Sequence, residues 1–501
     1  MKKCRYILLY IYVFLISLSV SSTNWAINKF AFLSFDEAIF QLTSPIKSAE
    51  KSILASFVAD SLFIAVMCSL IFFGLLVLIL NYLDCKQINL EIKLWKKKIL
   101  FGIKSSILKL LLKLTVIICT IYIIYSCLNR IGFINYLYNQ IHESLFIEEH
   151  YVNPNDIKLT FPSKKRNLIY IYVESLESTY FSKDLGGETD YNLLQPITEL
   201  TAKNISFSDT NKFGGAMSIP GTTWTTGAMV AQTSGLPLMV SGEFATENRL
   251  SSMLSGATTL GDILEANGYN QMYMIGSDKS FGNRDIYFKE HGNYKIYDYN
   301  VAKKKNKISD DYYVWWGYED SKLFEYAKEE ITNLAKKDKP FNFTMLTTDT
   351  HFTDGYLENT CVQRFGIQYY DVIYCSAGQI QEFANWISKQ SFYKDTTVII
   401  VGDHISMQSG IYPEDADRRV YNLFINPAVT EGRFANRKFS TMDLFPTTLA
   451  SIGVEIEGDR LGLGTNLFSD KDTLVEEYGY DYFANEMSRY SKFYMKEFLN
   501  K

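Results

Sequence analysis

NLIYIYVES, residues 167–175, is a short β-branched and aromatic run closed by an acid and a hydroxyl. A run of that length and composition reads as a buried strand. Two later stretches repeat the design. FNFTMLTTDTH spans residues 341–351, and TTVIIVGDH spans residues 396–404. Further strand-like runs fall at 272–275 and 420–425. Helical patterns lie between them, at 262–267 before Gly268, at 321–337, and at 379–389. Strands alternating with helices predict an α/β domain with a largely parallel central sheet. Such sheets bind ligands beyond the carboxyl ends of their strands. Three strands therefore deliver Glu174, the Asp349–His351 turn, and Asp403 with His404 to one sheet edge. One such residue is ordinarily a solvated loop group; three strand ends together point to a site.

Between these strands lies GGAMSIPGTTWTTGAMVAQTSGLPL, residues 214–238. It is a glycine- and hydroxyl-rich turn followed by a small-residue stretch suited to a helix. The first turn of a helix leaves backbone N–H groups unpaired at a positive dipole end. A phosphate carried on Thr222 would be held there. The plainer role for Thr222 or Thr223 is a helix N-cap. Carboxylates and imidazole suit Mn²⁺, Mg²⁺ or Zn²⁺. Such an ion would lower the pKa of a coordinated threonine hydroxyl, otherwise a weak nucleophile at neutral pH.

Upstream the chain changes character. Residues 7–22, 53–83 and 107–128 are long apolar runs, each near the length that crosses ~30 Å of hydrocarbon. No small-residue cleavage site follows the first run, so a removable signal peptide is not the expectation. The loop between the second and third runs carries Lys86, Lys93, Lys96, Lys97, Lys98 and Lys104. The positive-inside rule places it in the cytoplasm. Three spans then put the remainder outside. Asp60 is expected near the outer edge of the second run. The expected organisation is a transmembrane anchor over 1–128 and a membrane-surface linker over 129–160. A catalytic domain follows over 161–470, then a tail over 471–501 read as surface helix. The 501 residues carry a net charge of −5, which gives no reason to expect a nucleic-acid partner. No CxxC spacing exists for zinc or redox work.

The ordered pieces IYVES (171–175), GTTW with SGLPL (221–238), SFGNRDIYFKEHG (280–292), TTDTHF (347–352), VGDHISM (401–407) and DLFPTTLASIG (443–453) resemble a known family. The chain is similar to the phosphoglycerol transferases and lipoteichoic acid synthases of the alkaline phosphatase and sulfatase superfamily. The match looks closest to the membrane enzymes that act on periplasmic glucans. The resemblance implies a single-metal site, usually manganese or magnesium with manganese the expectation, held by Glu174, Thr222, Asp403 and His404. It implies Thr222 as nucleophile, by its distance from the Gly-Leu-Pro turn at 235–237, with Thr223 as the neighbour to test second. Arg284 would contact the glycerol phosphate, for which a guanidinium fork is suited. His351 would contact the same group and protonate the leaving group. Lipoteichoic acid synthases carry tryptophan where this chain has Gly282. The implied reaction moves glycerol phosphate from phosphatidylglycerol to an envelope glycan or polymer through a phospho-threonine, at a bacterial inner membrane. Alternatives are phosphoethanolamine transfer and an inactive envelope-binding protein. Sulfate ester hydrolysis is disfavoured, because no Cys-x-Pro-x-Arg motif is present. Cys361 and Cys375 are expected to pair, since disulfides persist outside the cytoplasm. His142, His150 and His291 are expected to be structural or surface residues.

Overall fold

The protein is described by a computed structural model covering residues 2–29, 35, 39, 51–84, 87–94, 97–239, 251–408, 410–413 and 415–499. Contacts divide the chain into two compact units. One is residues 1–35 with 49–137, the other 36–48 with 138–501.

The first unit holds α1 (Lys2–Lys29), α2 (Phe63–Tyr82) and α3 (Ser105–Arg130). A short helix and a π turn at Val58–Leu62 run directly into α2. Three helical stretches, Cys4–Lys29, Leu54–Tyr82 and Ser105–Arg130, are long and apolar enough to cross a membrane. They have the length and composition of a membrane anchor. Leu8, Phe63, Leu78 and Ile118 are exposed, as expected of side chains suited to lipid. Between α2 and α3 an antiparallel hairpin pairs Gln87–Leu94 with Lys97–Lys104. Cys85, Lys86 and Lys96 of that loop lie outside the described residues.

The second unit is built on a six-stranded sheet. Its strands are β1 (Asn167–Val173), β2 (Asn270–Ile275), β3 (Lys295–Tyr297), β4 (Phe341–Leu346), β5 (Thr396–Gly402) and β6 (Asn422–Ile425). Their order is β3-β2-β4-β1-β5-β6, all parallel except β6 against β5. Alternation along β1 explains the layers. Tyr170 and Tyr172 enter one core with α5 (Thr225–Ser234) and α8 (Leu444–Ser451). Ile169, Ile171 and Val173 enter the other, with α6 (Asp320–Ala335) and α7 (Gln368–Ser388). Both faces are covered, so the strands read as unbroken apolar runs rather than alternating ones. Each fully buried Leu, Ile or Val side chain there contributes about 1.5–3 kcal/mol. Helix α7 begins eleven residues before the helix read from sequence, because its first turns carry buried Tyr369, Val372 and Ile373.

Register fixes where the strands end. Tyr172 pairs with Leu346 and Val173 with Gly402. Glu174, Thr347 and Asp403 therefore leave the sheet at one level.

The C-terminal segment departs from expectation. It is no surface helix but a series of short ones, among them α9 (Leu474–Tyr478) and α10 (Tyr480–Ser488). Leu474, Phe483, Met487, Tyr494 and Phe498 join the first core. The Tyr494 hydroxyl donates to the carbonyl of Pro237 (2.7 Å), in the turn that ends α5.

Candidate active site

Glu174 follows β1 and is fully enclosed. Its backbone N–H donates to the Thr347 hydroxyl beyond β4 (3.0 Å), and its carbonyl accepts from Thr350. Ser175 then takes a left-handed backbone, φ 57°, a conformation a non-glycine residue holds only when its surroundings enforce it. That turn aims the Ser175 N–H at Asp403 Oδ1 (2.8 Å) and its hydroxyl at Glu174 Oε1 (2.9 Å).

Asp403 and His404 follow β5. His404 Nδ1 lies 2.7 Å from the carbonyl of Ile405. A carbonyl only accepts, so Nδ1 carries the proton and Nε2 faces the carboxylates, 3.3 Å from Asp403 Oδ2 and 3.4 Å from Glu174 Oε1. Asp403 Oδ2 is buried without a hydrogen bond among the described residues. Glu174, Asp403 and His404 each offer a ligand atom within 4.8 Å of the others. Three acceptors facing one another in a buried space fit a divalent cation, and the backbone contact of Nδ1 is the usual way a metal-binding imidazole is oriented.

The electrostatics agree. Burial and the neighbouring Glu174 raise Asp403 to about 7. Burial would lower His404, but Asp403 and Glu174 outweigh it and raise it to about 10. Burial would raise Glu174, yet His351 and His404 hold it at about 2. The cluster lacks positive charge and draws a proton, the place a metal ion would take.

Besides that of Ser175, the Thr225 hydroxyl reaches this cluster. It sits 3.4 Å from Glu174 Oε2 and 3.4 Å from His404 Nε2. Thr225 is the first residue of α5, after Trp224, whose side chain makes no cap hydrogen bond. Thr222 is corrected by this geometry. It is wholly buried, donates its hydroxyl to the carbonyl of Ile219 (2.8 Å), and accepts from the Ile219 N–H (3.1 Å). Its donor is spent inside its own turn, one helical turn before the residue that faces the cluster. Nor is it an N-cap. Gln232 fixes the helix to the sheet edge, donating to the carbonyls of Gly402 and Asp403 (both 3.1 Å) and accepting from Tyr170 (2.8 Å).

His351 donates from Nδ1 to the carbonyl of Phe352 (2.6 Å), and is close enough to Glu174 to depress it electrostatically. Arg284 is buried. Its Nε donates to the carbonyl of Phe281 (2.9 Å), and Nη2 to Ser277 Oγ (3.3 Å) and the carbonyl of Asp278 (3.4 Å). Its loop is tied to α5, because Thr226 donates to the carbonyl of Gly282 (3.0 Å). Gly282 has φ 63° and makes the bend.

Two contributors were hidden in the sequence. Trp316 stands in the tight turn Val314–Gly317, with its ring 4.7 Å from that of His351 and 5.5 Å from that of Phe281. Its buried Nε1 has no hydrogen-bond partner among the described residues. It brings an indole beside the loop that carries Gly282, from a different segment. Asp320, at the start of α6, accepts from the N–H groups of Thr348 (2.8 Å) and Asp349 (3.0 Å). It thereby holds the turn that carries His351. No motif marks either residue; only an Asp at a helix start opposite a strand end hints at the second.

Cys361 and Cys375 are joined by a disulfide, Cα atoms 5.7 Å apart. His142 is exposed, His150 accepts from or donates to the Tyr478 hydroxyl (2.8 Å), and His291 is buried against Asp262. None belongs to the cluster.

The family model described as Sulfatase matches residues 166–454, more than half of the chain. The chain belongs to the sulfatase family. Within that family it is 31% identical over 320 residues to phosphoglycerol transferase I of Salmonella choleraesuis (strain SC-B67). The match covers 62% of this sulfatase-family chain and 40% of that protein, so the chain spans less than half the length of the curated relatives it matches. Among solved structures, the integral membrane phosphoethanolamine transferase EptA of Neisseria meningitidis overlaps 89% of this chain and 84% of its own. Its TM-score is 0.53 at 12% identity, a likeness of fold. The lipoteichoic acid synthase LtaP of Listeria monocytogenes overlaps 65% of this chain and 80% of its own, at 16% identity and TM-score 0.47.

Proposed function

We propose that the protein is a membrane-anchored, metal-dependent phosphotransferase that moves glycerol phosphate from phosphatidylglycerol to an envelope glycan or polymer. The observation that carries this reading is the Thr225 hydroxyl at the start of α5, 3.4 Å from both Glu174 and His404. A nucleophile needs an activating neighbour; Ser175 donates to Glu174 alone, whereas Thr225 lies beside both Glu174 and His404. The 31% identity to phosphoglycerol transferase I supports the phosphoglycerol group.

Glu174, Asp403 and His404 would hold one divalent ion, with Mn²⁺ our choice and Mg²⁺ or Zn²⁺ the others the donors accept. Such an ion, once bound, supplies a lowered hydroxyl pKa and neutralises phosphate charge. Thr225 Oγ1 passes its proton to Glu174 Oε2, towards which it donates (3.4 Å), and attacks the phosphorus of phosphatidylglycerol. A Thr225–phosphorus bond forms and the bond to the diacylglycerol oxygen breaks. His351 gives that oxygen its proton. The N-terminal N–H groups of α5 face the phosphate carried on Thr225. An acceptor hydroxyl then attacks the phosphorus, its proton going to the neutral His351, and Thr225 leaves and recovers its proton from Glu174. Arg284 and Trp316 form the side of the site that receives the glycerol phosphate.

In this reading residues 1–128 anchor the chain and 129–160 link it to a catalytic domain at 161–470. The lysine-rich hairpin loop is cytoplasmic and the catalytic domain extracytoplasmic. A lipid donor explains why such chemistry is tethered to a bilayer.

The test is release of diacylglycerol from labelled phosphatidylglycerol by the full-length protein with Mn²⁺, beside Thr225→Ala and Thr222→Ala. Release that survives Thr222→Ala and vanishes in Thr225→Ala supports the reading. No release with any metal or acceptor overturns it. Release from phosphatidylethanolamine alone would replace the donor.

A further inference from the structure

The C-terminal segment is strapped to the chain that leaves the third apolar helix. Helix α3 ends at Arg130, and α4 (Phe133–Ile141) follows almost at once. Asn139 Nδ2 donates to Ser488 Oγ (3.0 Å), and its carbonyl accepts from the N–H of Tyr490 (3.0 Å). The Ser144 N–H donates to the carbonyl of Tyr490 (2.8 Å), and its hydroxyl to Glu486 (2.5 Å). Around Phe146 the rings of Tyr478 and Tyr482 pack at 5.2 and 6.1 Å.

These segments leave amphipathic side chains uncovered. Ile141 is 77% exposed, Leu145 53% and Tyr482 51%, with Tyr138, Tyr478 and Tyr480 similarly open. We propose that this patch docks on the headgroup layer of the bilayer that α3 is suited to enter. Two observations choose lipid as the occupant, and a third says how it is held. Tyr138 lies eight residues beyond Arg130, so the chain alone keeps it within about 28 Å of the end of α3. Tyrosine combines an apolar ring with a polar tip, which suits the membrane–water boundary. Exposed Glu148, Glu149, Glu477 and Asp481 flank the patch, so attraction to anionic lipid is not what holds it; ring insertion between headgroups is.

The docking reaches the active site. The Tyr480 hydroxyl donates to the carbonyl of Ser218 (2.9 Å), at the start of the turn that leads to Thr225. The segment thus sets the height of that turn above the headgroups. The role of this segment is independent of which lipid is the donor.

The test uses the full-length protein in nanodiscs of ordinary or acyl-brominated phospholipid, comparing Tyr482→Trp with Tyr191→Trp. Tyr191 is 57% exposed and packs on Phe365, away from this segment in sequence. The fluorescence added by the indole at position 482 falls about twofold or more in brominated lipid, as a ring at the boundary should, while that at 191 does not change. Equal response at both positions, or none at 482, overturns the proposal. If Tyr482→Trp fails to fold, Tyr478→Trp serves, read against the same control. Enzyme activity plays no part in the readout, so failure here is distinct from failure of the transferase reading.

Discussion

The Thr225 hydroxyl lies 3.4 Å from Nε2 of His404, on the side of the imidazole opposite the nitrogen bound to the Ile405 carbonyl. One backbone contact therefore orients the ring, and the ring faces the first residue of α5. Thr225→Ala is expected to lower turnover by about a thousandfold or more, the scale of removing a nucleophile. Thr225→Ser should retain measurable turnover. Thr222→Ala should leave turnover within a few-fold and cost about 1 kcal/mol of stability, because it removes a buried intra-turn hydrogen bond. Steady-state kinetics and thermal unfolding of the three variants separate the two threonines. Activity lost in Thr222→Ala and kept in Thr225→Ala would reverse the assignment.

Metal removal gives a prediction that needs no substrate. Asp403 Oδ2 has no hydrogen bond among the described residues, and Glu174 and His404 crowd it. An ion at 100 times its dissociation constant stabilises the folded state by about 2.7 kcal/mol. Thermal unfolding with Mn²⁺ should therefore shift upward by a few degrees relative to chelator. Asp403→Ala should abolish that shift. The same rise in Asp403→Ala as in the wild type would remove the cluster as the metal site.

How much of this was legible in the chain follows from what each residue depends on. Glu174, Asp403 and His404 could be read because a strand end fixes position along the chain, and parallel register brings strand ends to one edge. Thr225 could not be told from Thr222. Counting from the Gly-Leu-Pro turn does not say which way a hydroxyl in a Thr-rich turn points, and Ile219 takes the first one. Trp316 was hidden because its neighbours His351 and Phe281 lie 35 residues away in each direction. The tail was misread because its apolar positions are split among short helices, too short to show a clear period.

Trp316 closes the side of the site beside His351, with a buried indole N–H that has no partner among the described residues. Trp316→Ala should lower kcat/KM by about 10- to 100-fold, as expected when an aromatic wall is lost. Trp316→Phe keeps the ring and removes the N–H, worth about 1 kcal/mol or several-fold if substrate accepts from it. Kinetics with the lipid donor check both. Equal loss in the two variants would mean the N–H carries the whole effect; no loss in either would take Trp316 out of the site.

The His291–Asp262 contact predicts a pH dependence of stability remote from the chemistry. His291 Nδ1 lies 3.0 Å from Asp262 Oδ2, and Nε2 lies 2.8 Å from the carbonyl of Met253. Both partners accept, so the ring is best satisfied with a proton on each nitrogen. Burial would lower its pKa, but Asp262 and the Met253 carbonyl outweigh it and raise it above 6.5. A group whose folded pKa is raised gives its full stabilisation below the unfolded value, near 6.5, and loses it as pH rises through the folded value. Wild-type stability should therefore fall by about 1–3 kcal/mol as pH climbs from 6 through that window. Asp262 also accepts from the Thr259 N–H and hydroxyl, so that cap survives when the ring is replaced. His291→Gln should be less stable than wild type at pH 6 and converge on it at higher pH. Thermal unfolding of both proteins across pH 5.5–9 checks it, and a constant gap between the curves would mean the imidazole carries no charge there.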